Sequence, residues 1–211
     1  MRHAVESEEL LTGTRSVHIV LSHFHLDHVV GLGYLPAFRL PSPPVLWGPG
    51  QALYGNSTGR ILRQLLEPPF FTPGIASLFA SIGELAEGEN QCGAFSVRAR
   101  QQPRHSEPTF AFRIDDLIAY CTDTAYDEGN AAFARNCSVL FHEAWSAESG
   151  PNADIHTSAR EAGAIARRAG VDRLVLIHLN PLPGYDELDA ATRREFDGTI
   201  VGRDLLEVAI G

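Results

Sequence analysis

Short apolar runs recur along the chain at strand length: VHIVL at 17–21, VLW at 45–47, AFSVRAR at 94–100, TFAFRI at 109–114, LIAYC at 117–121, SVLF at 138–141 and RLVLI at 173–177. IASLF at 75–79 reads as one more, and Asp115 and Asp116 make a tight hairpin turn between TFAFRI and LIAYC. Elsewhere the period lengthens to that of a helix. GRILRQLLE at 59–67 places residues 61, 62, 65 and 66 on one face and is closed by Pro68 and Pro69. Thr124 and Asp127 resemble a capping box for a short helix through Ala134. Ser158 and Glu161 form a cleaner one, followed by a small-residue face of Ala159, Ala162, Ala166 and Ala169 with Arg160, Arg167 and Arg168 left for solvent. A last helix covers 187–196, and Pro36 with PSPP at 41–44 forces an irregular connection. The pattern predicts an αβ fold with several antiparallel hairpins.

Composition narrows this picture. A chain of 211 residues, 44% hydrophobic and 20% charged, is long enough for one self-sufficient domain over 1–211. Its net charge of -9 argues against a broad nucleic-acid footprint, so no DNA partner is expected. Cys92, Cys121 and Cys137 are odd in number and form no CxxC pair, which fits a reducing, cytoplasmic setting. The first 15 residues, MRHAVESEELLTGTR, lack an apolar signal core, and no run approaches 18 apolar residues, so neither export nor membrane insertion is expected.

The chemistry concentrates in HFHLDH, residues 23–28. In an extended segment His23 and His25 point the same way and can grip one ion, while Asp27 and His28, after the chain turns, can serve a second. Imidazole with carboxylate suits Zn²⁺, and also Mn²⁺ or Fe²⁺. Two ions need more donors, and His105, Asp123 and His178 each stand just beyond an apolar run. Asp123 is the best bridge, since each carboxylate oxygen can face one cation. His3 and His18 have no supporting pattern.

With those residues in place the chain resembles the metallo-β-lactamase fold superfamily, whose HxHxDH signature is matched by His23, His25, Asp27 and His28. The resemblance implies an α+β, four-layer αβ/βα sandwich and two divalent ions. One would be held by His23, His25 and His105, the other by Asp27, His28 and His178, with Asp123 shared. FHEAW at 141–145 and HTS at 156–158 further resemble the phosphodiesterase branch, which includes tRNA 3′-processing endonucleases and cyclic phosphodiesterases. There Glu143 and His156 would protonate or electrostatically stabilise the leaving group, and Asp27 would orient the attacking water. His142 reads equally as support for the site and as packing.

Three departures shape the expectation. Only 17 residues, 106–122, separate His105 from Asp123, too few for the tRNA-gripping arm, so a small cyclic or linear phosphodiester is expected rather than tRNA. About 16 residues precede the HxHxDH strand where family members carry two or more strands. Either edge strands are lost, exposing surface that a homodimer would cover, or the start is missing. TGT at 12–14 does not replace the family's glycine-rich turn. After His178 stands LNPLPGYDE, whose Asn180 and Tyr185 can line the pocket and whose Pro181 and Pro183 stiffen the loop. Alternative functions are lactone, thioester or lactam hydrolysis at the same metals, and a non-catalytic, metal-stabilised binding subunit.

Overall fold

The computed structural model describes residues 16–210 apart from Arg39, Pro41, Pro181 and Pro183. The sequence expectations for residues 1–15, including His3 and the TGT stretch, and for the two loop prolines fall outside the described residues. The chain forms two compact units, the first ending at Ala94 and the second beginning at Phe95.

In the first unit, strand β1 (His18–Val20) leads through the HFHLDH loop into a single helical turn, α1 (Leu26–Val29), which runs on as a 3₁₀ helix over Val30–Ala37. Then come β2 (Val45–Gly48), α2 (Gly50–Tyr54), α3 (Thr58–Arg63), β3 (Ser81–Glu84) and β4 (Gly88–Cys92). Strands β1, β2 and β3 pair in parallel, with His18 opposite Val45 and Val45 opposite Ser81. Leu21, Val29, Leu32, Leu46, Leu62 and Ile75 close the core beneath them. At the C-terminal end of β3 the Glu84 carboxylate accepts the Thr58 amide at 2.6 Å and the Gln51 amide at 3.0 Å, tying both short helices to the sheet. A Cβ on Gly50 would meet the Thr58 backbone nitrogen at 2.4 Å, so only glycine permits this approach.

IASLF is not a strand. Ile75–Ser77 is a 3₁₀ turn, with Leu78 N–H donating to the Ile75 carbonyl at 3.1 Å. The buried residues are Ile75, Leu78 and Phe79, a helical spacing that a five-residue apolar run conceals. The helix read over 59–67 stops at Arg63, although Leu66 still reaches the core.

The second unit holds β5 (Phe95–Gln102), β6 (Thr109–Ile114), β7 (Ile118–Cys121), α4 (Gly129–Phe133), β8 (Val139–Ala144), α5 (Ala159–Ala169), β9 (Arg173–Leu179), α6 (Tyr185–Arg193) and β10 (Thr199–Val201). Its strands lie in the order β10-β9-β8-β7-β6-β5. The β5, β6 and β7 neighbours are antiparallel; β7 through β10 are parallel. Asp115 and Asp116 take φ of 48° and 56°, left-handed positions in the three-residue turn that joins Ile114 to Ile118.

Helix α5 begins on the reciprocal Ser158–Glu161 capping box and ends at Gly170 with φ 67°. Its Ala159, Ala162, Ile165, Ala166 and Ala169 pack into a core with Leu140, Leu174 and Leu176. Burying Ile165 alone contributes ~1.5–3 kcal/mol. Arg160 and Arg167 face outward, as their positions predict, and pair with Glu195. The short helix expected from Thr124 begins only at Gly129, because the Thr124 amide bonds to Glu143 instead of entering a helix.

Candidate metal centre

The donors of the first unit are set by one change of backbone. Leu21 N–H still pairs with the Trp47 carbonyl at 2.9 Å, and the chain then leaves the sheet. His23 is fully buried, with Nδ1 3.0 Å from the Ser22 hydroxyl. His25 is the N-cap of α1, so Asp27 and His28 ride on its single turn. The His23 ring lies 4.5 Å from that of His25 and 4.3 Å from that of His28, and His28 Nε2 is 3.3 Å from the Asp27 carboxylate. The four residues of HFHLDH expected to bind metal therefore form one cluster, with His23 deepest. His18 is occupied elsewhere: it accepts the Trp47 indole N–H at 3.0 Å.

The second unit carries a matching cluster at the C-terminal ends of β5, β7, β8 and β9. His105 Nδ1 donates to the Ile155 carbonyl at 2.9 Å, which in the neutral ring leaves Nε2 as a lone pair. That nitrogen points at Asp123 Oδ1, 3.8 Å away, and His178 Nε2 approaches the same oxygen at 3.3 Å. Two imidazole nitrogens and a carboxylate oxygen converge on one place, a donor set that suits a cation. Asp123, His156 and His178 each offer a donor atom, all within 4.8 Å of one another. Asp123 is 2% exposed and its other oxygen accepts the Thr122 hydroxyl at 2.5 Å. The donor chemistry fits a divalent metal.

Backbone geometry shows how Asp123 and His178 are aimed. Asp123 and His178 both hold positive φ, 52° and 47°, a conformation that costs on the order of 1–3 kcal/mol outside glycine. The sequence placed His178 just past its strand; it lies inside β9, at a bulge. Glu143 pairs with Ile177 and Ala144 with Leu179, so His178 is the extra residue. The bulge shifts the pairing by one residue and turns the His178 side chain out of the strand's regular alternation.

Behind Asp123 and His178 stands Glu143, fully buried at the end of β8. One carboxylate oxygen accepts the Thr124 amide; the other accepts His156 Nδ1 at 2.8 Å and lies 3.6 Å from His178 Nδ1. The sequence had singled out this carboxylate and this histidine, but not the amide that fixes them nor Trp145. The indole of Trp145 stacks on His156 with centroids 4.4 Å apart and planes 12° apart. Its signal was an aromatic residue directly after the HEA stretch. His142 is buried with its Nδ1 donating to the Glu143 carbonyl at 2.9 Å, and burial holds its pKa below the usual value. Its Nε2 has no hydrogen-bond partner among the described residues. Asn180 is engaged in a local turn, its side-chain oxygen accepting the Leu182 amide at 3.0 Å. Tyr185 lines a cavity of about 660 Å³ together with Phe141, Ile177 and His178. The three cysteine thiols are buried and unpaired, and burial pushes each pKa up. Among the described residues no helix is long and apolar enough to cross a membrane.

A family model described as the beta-lactamase superfamily domain matches residues 7–179. The chain is 32% identical over 195 residues to the uncharacterized protein Rv1339 of Mycobacterium tuberculosis, covering 88% of this chain and 70% of that one. It resembles the crystal structure of the metallo-beta-lactamase fold protein YhfI from Bacillus subtilis at a TM-score of 0.68 and 21% identity, over 87% of this chain and 73% of that one. A diphosphatase of the PhnP family is similar at a TM-score of 0.67 and 17% identity, over 96% and 74% of the two chains. The mixed α/β architecture is that of the metallo-β-lactamase fold. With a family model spanning most of its length and two His/Asp clusters built to hold metal, the chain belongs to the beta-lactamase superfamily and is a metal-dependent hydrolase.

Proposed function

We propose that the chain is a two-ion phosphodiesterase acting on a small cyclic or linear phosphodiester. The ligands of this reading are those expected from the sequence: His23, His25, Asp27, His28, His105, Asp123 and His178, with Asp123 shared. Zinc is the metal that imidazole and carboxylate donors suit best, with manganese and iron as alternatives. Divalent cations held there supply a lowered pKa for water and positive charge beside the phosphoryl oxygens.

The observation that carries the reading is the Glu143–His156 pair next to Asp123 and His178. An alkoxide leaving group needs a proton. His156 can donate one from Nε2, because Glu143 holds Nδ1 and thereby turns the opposite nitrogen outward. Asp27, 64% exposed at its side chain, is free enough of the core to orient water as well as bind metal. Asp123 and His178 are aimed by backbone that only a folded sheet can impose.

The interval between His105 and Asp123 supports a small substrate. It is filled by β6, the turn at Asp115 and Asp116, and β7, which leaves nothing to form an RNA-gripping arm there. The buried, unpaired cysteines support a reducing, cytoplasmic setting.

The test is a screen of zinc-loaded protein, with metal content verified, against bis(p-nitrophenyl) phosphate, cyclic nucleotides, and lactone and thioester substrates. Metal-dependent turnover of the diesters is expected. Turnover confined to the acyl substrates would replace this reading with acyl hydrolysis, and turnover of none would leave a metal-stabilised binding protein.

A further inference from the structure

Glu143 constrains His156 at a single point. A hydrogen bond at Nδ1 fixes one corner of the imidazole, and the ring can still tilt about that corner and swing Nε2 away from a departing oxygen. What remains is a plane to be fixed, and Trp145 supplies one, its indole parallel to the imidazole within 12° at 4.4 Å. The stack is imposed by backbone. Trp145 N–H donates to the Thr157 carbonyl at 3.0 Å, Ala159 N–H to the Ser146 carbonyl at 2.7 Å, and Ser146 bridges Ser158 in parallel. The segment leaving β8 and the segment leaving His156 are thereby zipped side by side. On its other sides the His156 ring meets His105 at 5.3 Å and His178 at 5.5 Å, both tilted rather than parallel, so neither fixes its plane.

We propose that Trp145 is the positioning residue that aims His156 Nε2 at the leaving oxygen of the phosphodiester. The role rests on the phosphodiesterase reading given above. In the step concerned, the oxygen of water bonds to phosphorus and the P–O bond to the departing group breaks. The proton on His156 Nε2 passes to the departing oxygen, and the proton released by the attacking water restores the imidazole through solvent. In this role Trp145 contributes no proton and acts through His156; its indole also lies 5.5 Å from the His178 ring, but tilted by 32° rather than stacked. A merely space-filling indole would instead support the fold, and its loss would slow every substrate alike.

The experiment compares Trp145→Leu and Trp145→Phe with the parent, as zinc-loaded full chains, on two diesters. One is bis(p-nitrophenyl) phosphate, whose aryloxide departs without a proton. The other is a cyclic nucleotide, whose departing oxygen is a ribose hydroxyl and needs one. A misplacement of about 1 Å costs on the order of 100-fold in rate. Trp145→Leu is therefore expected to lose about that factor in kcat on the cyclic nucleotide, with KM and zinc content unchanged and the aryl diester slowed only a few-fold. Trp145→Phe, which keeps a flat ring in the stack, recovers most of the loss. His156→Ala shows the same split between substrates, and adding Trp145→Leu to it costs nothing further. Equal losses on both diesters, or none on either, overturn the positioning role. A parent enzyme that hydrolyses neither diester overturns the phosphodiesterase reading itself and this role with it, a result distinct from uniform loss in an active parent.

Discussion

Replacing Glu143 tests the site where structure and chemistry meet. The carboxylate is fully buried and serves two donors, the Thr124 amide and His156 Nδ1, and Thr124 is itself fully buried. A hydrogen bond to a charged group contributes about 1.5–3 kcal/mol. Glu143→Gln keeps the shape but has one carbonyl oxygen for two donors, so it loses one of these bonds. It also escapes the cost of burying a charge, which moves the expected destabilisation toward the lower end, about 1–2 kcal/mol. Glu143→Leu abandons both donors inside the protein and is expected to lose about 3–6 kcal/mol. Urea unfolding of the metal-free proteins measures both. The same variants, zinc-loaded, should retain their metal and lose about 10²–10⁴-fold in kcat on a cyclic nucleotide, the range that a positioned acid contributes. A Glu143→Leu protein within about 0.5 kcal/mol of the parent, the scatter of neutral surface changes, would refute the claim that this carboxylate holds the loop together.

Metal and pH give further expectations. Asp123→Ala should bind far less zinc than the parent by elemental analysis and lose most of the zinc-dependent rise in Tm, about 4 kcal/mol at a thousandfold excess over Kd. His156→Ala should keep its zinc, and an emptied site in that variant would make His156 a ligand rather than an acid. His142 has its pKa lowered by burial, so its contribution is fully present above the ordinary histidine value near 6.5 and is lost as pH falls below it, where the unfolded chain takes up the proton first. Below that value the parent should lose up to about 1.4 kcal/mol per pH unit from this group, and His142→Leu should show a shallower slope in urea unfolding between pH 7 and 5; identical slopes would show that His142 is not the group that titrates.

The site was more legible in the sequence than the elements around it. Four of the six positions of HFHLDH announce their chemistry because no packing need explains that density of imidazole and carboxylate. His105, Asp123 and His178 stood out as polar residues at the limits of apolar runs. What stayed hidden was decided by tertiary contact. Thr124 and Asp127 have the spacing of a helix cap, yet the Thr124 amide goes to Glu143 and Asp127 pairs with Arg100 at 2.6 Å. SIGE, GENQC and TIV, which form β3, β4 and β10, carry too little apolar contrast for periodicity to reveal them. Trp145 gave no hint of its partner because the stack depends on a backbone bridge between residues 12 apart, Ser146 and Ser158. Local pattern fixes which residues are unusual; only the assembled sheet fixes what they face.

The extra residue at 178 carries an evolutionary corollary. Because pairing resumes at Leu179 one residue out of step, a deletion of that single codon would restore an unbroken register between β9 and β8 while removing a candidate metal ligand. On the two-ion phosphodiesterase reading, one small genetic lesion that the sheet itself would scarcely register separates enzyme from inert scaffold. Descendants of this fold can lose their chemistry without first losing their shape.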